Sequence, residues 1–266
     1  MIAFENMEFS FLSLFSSYSL AVIIFLVMIA AYWLGSRVSQ RFKNYFVDGF
    51  GPVEGSLLGL LALLLAFTFS MSAARYETRR QIVVQEARLI GTAILRADLY
   101  EPSERDAFRA DFKEYLELRI ASHDSGFDEE KVTQNIHLSE SISTRLWDRA
   151  ARLGRNPANF ISSNQMIPAL NSMIDIVTTR NAARHATVPD AIIWVLFILC
   201  AVSSFMIGIN RKESKSSMLV VNTVFSLMIS ACVFLIIDLD RPKHGLITLD
   251  DMNQNLIDLR GLFESP

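Results

Sequence analysis

The stretch that most constrains the chain is residues 55–97, GSLLGLLALLLAFTFSMSAARYETRRQIVVQEARLIGTAILRA, which holds no proline and, past Gly59, one glycine. The sequence predicts one continuous helix here. Its first half, Gly55 to Ala74, carries no charged side chain. That is about 20 residues, which at about 1.5 Å each cross a hydrocarbon core of about 30 Å. Its second half turns polar at Arg75 and returns apolar residues at Val83, Ala87, Ile90, Ile94 and Ala97. This spacing places them on one helical stripe that packs against other helices in water. A membrane helix continued as an amphipathic stalk ties a transmembrane part to a water-exposed part, so a change in one can be felt in the other.

Three further uncharged runs are long enough to cross: a first span at about 18–35, a third at about 190–210 and a fourth at about 216–237. The first closes with Tyr32 and Trp33 at an interface, and the serine- and phenylalanine-rich lead-in before it suits an interfacial position. Glu5 and Glu8 precede it without lysine or arginine, unlike the positive start of a secretory signal, so this span is expected to be retained. Gly49, Gly51 and Pro52 should break any helix before the second span, and Glu101-Pro102 should stop the long helix.

Between spans two and three the pattern is helical throughout. Ser103 with Asp106 reads as a capping box opening a helix with Phe108, Phe112, Tyr115, Leu116, Arg119 and Ile120 on one face. Leu138, Ile142, Leu146, Ala150 and Leu153 mark a second, ended by Gly154, and Met166, Leu170, Met173 and Val177 a third, with Pro168 in its first turn. The expected organisation is an N-terminal membrane hairpin (1–74), an extramembrane helical bundle with its stalk (75–188), a C-terminal membrane hairpin (189–238) and a polar tail (239–266). The fold class is all-α, a multi-pass membrane protein with four transmembrane helices and a water-exposed bundle inserted between spans 2 and 3.

Composition narrows the function. Hydrophobic residues make up 51% and charged residues 20%, a mixture of membrane and aqueous parts, and the net charge of -3 comes without a basic block, so nucleic acid is not an expected partner. Cys200 and Cys232 sit in apolar runs without metal or redox spacing and read as small buried hydrophobes. Their expected depths differ by roughly 6 Å, which argues against a disulfide. His123, His137, His185 and His244 are scattered, and no nucleophile elbow, phosphate loop or HExxH motif occurs. An enzyme is not expected, nor a cofactor or metal. No ionisable residue lies well inside a span, which argues against an ion-coupled transporter or a proton pump.

Three groups remain as site candidates. Gly51, Gly55, Gly59, Ala62, Ala66, Ser70 and Ala74 place small residues along the second span; they serve either close helix packing or a pore face, with Leu64, Phe67 or Phe69 as a dry constriction. Asn222, Ser226 and Ser230, with Thr223 beside them, form a polar stripe on the fourth span, suited to interhelical hydrogen bonds or to a wet path. Arg75, Arg79 and Arg80 at the exit of span two, with Asp238, Asp240 and Arg241 at the exit of span four, form a charge cluster. It reads as ion pairing, as a two-carboxylate cation site at Asp238 and Asp240, or as an arginine ring attracting anions around an oligomer axis.

The second span with its stalk (residues 60–99) and the exit of the fourth span, DLDRPKHGLITL (238–249), together resemble the bestrophin-like domain family, long catalogued as a domain of unknown function. The resemblance runs from the first span to the tail. It implies kinship with bestrophin anion channels, which are also built on four spans with long helical extensions. No residue matches a bestrophin pore neck or calcium site position by position. The functions it leaves are an oligomeric ion channel, or a channel-derived protein, embedded in a lipid bilayer as a homo-oligomer; the rival is a non-conducting membrane scaffold or sensor whose bundle binds a protein partner. The loops at 37–54 and 210–217 hold three lysines or arginines each, so the positive-inside rule places them in the cytoplasm, with the bundle and both termini outside a plasma or inner membrane.

Overall fold

The computed structural model describes residues 16–42, 51–124, 128–210, 215–241 and 250–264. They form eight α-helices: α1 (Ser17–Arg41), α2 (Gly51–Arg96), α3 (Pro102–Asp124), α4 (Glu129–Leu153), α5 (Phe160–His185), α6 (Asp190–Ile209), α7 (Lys215–Asp240) and α8 (Asp250–Ile257). Short 3-10 turns at Ala97–Leu99, Pro157–Asn159 and Asp258–Phe263 complete them, and no strand occurs among the described residues. Among the described residues four helices are long and apolar enough to cross a membrane: α1, α2, α6 and α7. The chain is therefore an all-α, multi-pass membrane protein.

The helices divide into two compact units, Met1–Tyr76 with Thr187–Ile247, and Glu77–Ala186 with Thr248–Pro266. The membrane unit is centred on α1, which packs along α6 and α7. Glycine sets the spacing: a Cβ at Gly35 would lie 2.2 Å from the Phe205 carbonyl oxygen, and one at Gly208 would lie 2.2 Å from that of Tyr32. The α1 and α6 backbones touch there, which only small residues permit, and in lipid such contact supplies the dispersion energy that apolar burial cannot. Leu20, Ile24 and Met28 of α1, Leu61 and Leu65 of α2, Leu196 and Cys200 of α6 and Val233 and Ile236 of α7 form the buried core.

The second unit has a core of another kind. Ala87, Ile90, Ile94 and Ala97 of the stalk meet Phe108, Phe112, Tyr115 and Leu116 of α3, Ile142, Leu146 and Ala150 of α4 and Met166, Leu170 and Met173 of α5. Val83 is buried as well, outside this cluster. Each large apolar side chain removed from water contributes about 1.5–3 kcal/mol, so this core is built by the ordinary hydrophobic effect.

Several local expectations need correction. α2 begins at Gly51, with Pro52 in its first turn, where the missing N–H had no helical partner to lose. α3 starts at Pro102, and Asp106 pairs with Arg105 at 2.9 Å instead of completing a capping box. α5 starts at Phe160, so Pro168 is inside the helix. It is tolerated because the position is exposed and water can satisfy the carbonyl one turn back. Leu138 is exposed rather than in the α4 stripe. The tail read as polar supplies α8 and the turn after it: Leu256 is fully buried against the bundle, Arg260 grips Glu117 of α3 at 2.8 and 2.6 Å, and Arg109 donates to the Leu262 carbonyl at 2.8 Å. The lead-in before Ser16, Lys43, Arg211, Lys212 and residues 242–249 of the fourth-span exit motif lie outside the described residues.

Candidate functional site

The small-residue row of α2 is not used to pack the chain against itself. Gly51, Gly55, Gly59, Ala62, Ala66, Ser70 and Ala74 are all exposed, and a Cβ added at any of the three glycines would meet nothing within 4 Å. Phe67 and Phe69 beside the row are 63% and 45% exposed, while Leu64 turns towards the core. On the other side of the helix Leu61, Leu65, Thr68 and Ser72 are buried, with Thr68 donating to the Leu64 carbonyl at 2.7 Å. The helix thus has one face committed to its own subunit and one left uncovered. Counting on by threes and fours, the uncovered row leads to Glu77, Arg80, Val84 and Arg88, which with Gln81 and Gln85 line a shallow, open groove along the stalk.

The polar stripe of α7 goes elsewhere. Asn222, Ser226 and Ser230 are buried inside the membrane unit, and their side-chain oxygens and the Asn222 amide nitrogen have no hydrogen-bond partner; Thr223 donates to the Leu219 carbonyl at 2.8 Å. The two stripes therefore do not share a surface: the α2 row faces outward and the α7 row inward. Cys200 is buried, whereas Cys232 is exposed on α7, contrary to the reading of both as core, and both thiols are free.

At the membrane exits each unit makes contacts of its own. Both carboxylate oxygens of Asp240 accept the Val188 N–H, at 3.1 and 3.0 Å, which fastens the end of α7 to the entry of α6. This is a carboxylate-to-backbone clamp. Asp238 is fully buried. Arg79, 5% exposed, donates to the Ala186 carbonyl at 3.2 Å, Arg80 pairs with Glu77 at 3.5 Å, and Arg75 reaches Met71 Sδ at 3.8 Å. Among the described residues no group of three or more potential metal ligands occurs.

One buried charge cluster was absent from the sequence reading. Glu86, fully buried in the stalk, accepts from Arg119 of α3 at 2.7 Å and from Arg180 of α5. The signal was available, since Glu86 adjoins Ala87 on the stalk's inward side and Arg119 falls on the apolar face of α3. A charge in such a stripe needs a partner.

Four apolar helices carrying a helical bundle on one extended span define a polytopic membrane protein with an extramembrane module. The Bestrophin-like domain model matches residues 17–251, and the chain belongs to that family. Solved structures agree on the fold. A bacterial bestrophin homologue from Klebsiella pneumoniae superposes with a TM-score of 0.64 at 17% identity, covering 90% of this chain and 98% of that one. A tryptophan variant of the same homologue gives 0.67 at 16% identity, covering 93% and 99%. No curated protein matches the chain significantly.

Proposed function

We propose that the protein is a homo-oligomeric, bestrophin-type ion channel in which the uncovered face of α2 surrounds the oligomer axis, with anions as the permeant species. The observation that carries this is the exposed row from Gly51 to Ser70. A helix presenting lipid has no need of glycine and alanine at every turn, whereas a subunit contact or an axial lumen uses them to bring backbones close. Phe67 and Phe69 flank the row as candidate dewetting constrictions, and Arg80 and Arg88 continue it in water, where repeated around an axis they would concentrate anions. The role is that of a passage, not of an enzyme. The short basic loops favour a bundle and termini outside the cytoplasm; labelling single cysteines at Ser141 and Ser39 in intact cells with an impermeant thiol reagent tests this, and labelling only at 39 reverses it.

The deciding experiment is current across planar bilayers containing the purified oligomer under a chloride gradient. The expected result is a conductance reversing near the chloride potential and increased by Phe67→Ala. A stable oligomer that passes no current with either residue at 67 refutes the channel and leaves the scaffold or sensor.

A further inference from the structure

Asn222 poses a problem that the axial pore does not address. It is fully buried in the membrane unit, yet both polar atoms of its amide are without partners. The same holds for Ser203 and Ser204 of α6 and for Ser226 and Ser230 of α7, and the hydroxyl of Tyr32 on α1 is likewise unpartnered and buried. An amide or hydroxyl left unpaired in an apolar medium costs roughly 2–7 kcal/mol, so six side chains in one membrane unit cannot all be dry and unpaired.

Their depths converge. The rings of Tyr18, at the start of α1, and Phe234, near the end of α7, meet at 4.9 Å, which puts those two helix ends at one level. From there Ser230, Ser226 and Asn222 lie about 6, 12 and 18 Å along α7. On α1, Tyr32 lies about 21 Å from Tyr18. Gly208 backs onto Tyr32 and Ser36. Ser203 and Ser204, about a turn before Gly208 on α6, therefore sit about 17 Å deep, level with Asn222. The three helices that meet there, α1, α6 and α7, are mutually packed.

The chemistry of the groups selects the ligand. The spans bring no charged side chain to this level, so an ion has no counter-charge. An amide and hydroxyls each both donate and accept. The species that does the same, with several bonds per molecule, is water.

We propose that each subunit binds a cluster of buried water molecules at the level of Asn222. It bridges α7 to Ser203 and Ser204 of α6 and to Tyr32 of α1, and Ser226 and Ser230 extend it towards the Asp240 end of α7. This wet site lies within the subunit, away from the outward face of α2, and stands whether or not the oligomer conducts.

The test is water-edited solid-state NMR of the full chain in phosphatidylcholine vesicles. Val221-Asn222 is the sole Val-Asn pair in the sequence, so carbonyl-labelled valine with 13C,15N-asparagine assigns the Asn222 backbone amide without mutation, and correlation within the residue carries the assignment to its side-chain amide. Magnetisation from water should reach the Asn222 amide as fast as that of exposed Asn164, and Ser226→Val should slow it. Transfer as slow as to the outward-facing Leu227 methyls would overturn the proposal, because Asn222 would then be dry.

Discussion

The two units of this chain bury polar groups by opposite rules. In the bundle the buried charges are paired: Glu86 sits between Arg119 and Arg180, and Asp111 takes Arg145 and Arg149, each at 2.9 Å. In the membrane unit, apart from Asp238 and Asp240 at the end of α7, the buried polar groups are neutral, and many have no protein partner. Cohesion differs in parallel. The bundle excludes water from aromatic and aliphatic side chains, whereas the membrane helices, which gain nothing from leaving one apolar medium for another, hold together through backbone contact at Gly35 and Gly208. A substitution should therefore be judged by the rule of its unit, not by burial alone.

The largest effect should come from putting a charge in the bundle's core. Ile90 is fully buried, and Ile90→Asp leaves a carboxylate without a counter-charge, at a cost above about 4 kcal/mol. Thermal unfolding followed by circular dichroism should show the bundle melting while the membrane helices persist; an unchanged melt would mean that the stalk is not the bundle's centre. Next is Glu86→Gln, which strands the buried Arg119 and the half-buried Arg180 and should cost about 3–5 kcal/mol. Restoring balance with Arg119→Met in the same chain should recover part of that loss. If it recovers none, the charges are not coupled as their geometry implies.

The stalk was legible because a single helix announces its own stripe, and Val83 through Ala97 need only periodicity to be placed inside. The four spans were legible because length and absence of charge suffice. Three things were hidden, each for a physical reason. The close approach of α1 and α6 rests on Gly35 and Gly208, which are far apart in sequence and carry no pairing signal. α8 and the turn after it are short, and their contribution rests on Leu256 and on Arg260 reaching Glu117, which composition reads as a polar tail. The outward turn of the α2 row depends on which side of the helix the neighbouring spans occupy, and a row of small residues looks the same in either case.

A smaller effect separates packed from unpacked membrane glycines. Gly35→Ala drives a Cβ into a carbonyl that belongs to a backbone and cannot move aside, so it should cost about 1–3 kcal/mol in detergent melts. Gly55→Ala meets open space within the subunit and, with only the gain of up to about 1 kcal/mol in helix propensity, should not lower the melt of a dissociated subunit. A loss of assembly in Gly55→Ala alone, read by native mass spectrometry, would place that face at a contact between subunits. Smaller still is the clamp on the tail. The Arg260 guanidinium, hydrogen-bonded to Glu117, holds that carboxyl below the ordinary value of 4.5. A depressed carboxyl stabilises above its ordinary value and loses this as pH falls through the lower folded value. Both side chains are more than 40% exposed, so screening keeps the effect below about 1 kcal/mol. Proteolysis of the tail should accelerate on acidification below that value, and Arg260→Gln should abolish the acceleration.

Gly91 is the bundle's counterpart of Gly35 and should behave differently. A Cβ there would lie 3.0 Å from Leu259 Cδ2 and 3.9 Å from Leu262 Cδ1, the far ends of flexible side chains in the turn that follows α8. Those methyls can swing away by a few tenths of an ångström, which the carbonyl opposite Gly35 cannot. Replacing glycine by alanine inside a helix also gains about 1 kcal/mol of intrinsic propensity. The two contributions oppose one another, and Gly91→Ala should leave the stability of the bundle within about 0.5 kcal/mol of the parent, the range of neutral substitutions. A loss as large as that of Gly35→Ala would show that the turn at 258–263 is locked rigidly onto the stalk. The contrast between a side-chain-lined and a backbone-lined glycine would then no longer distinguish the two units.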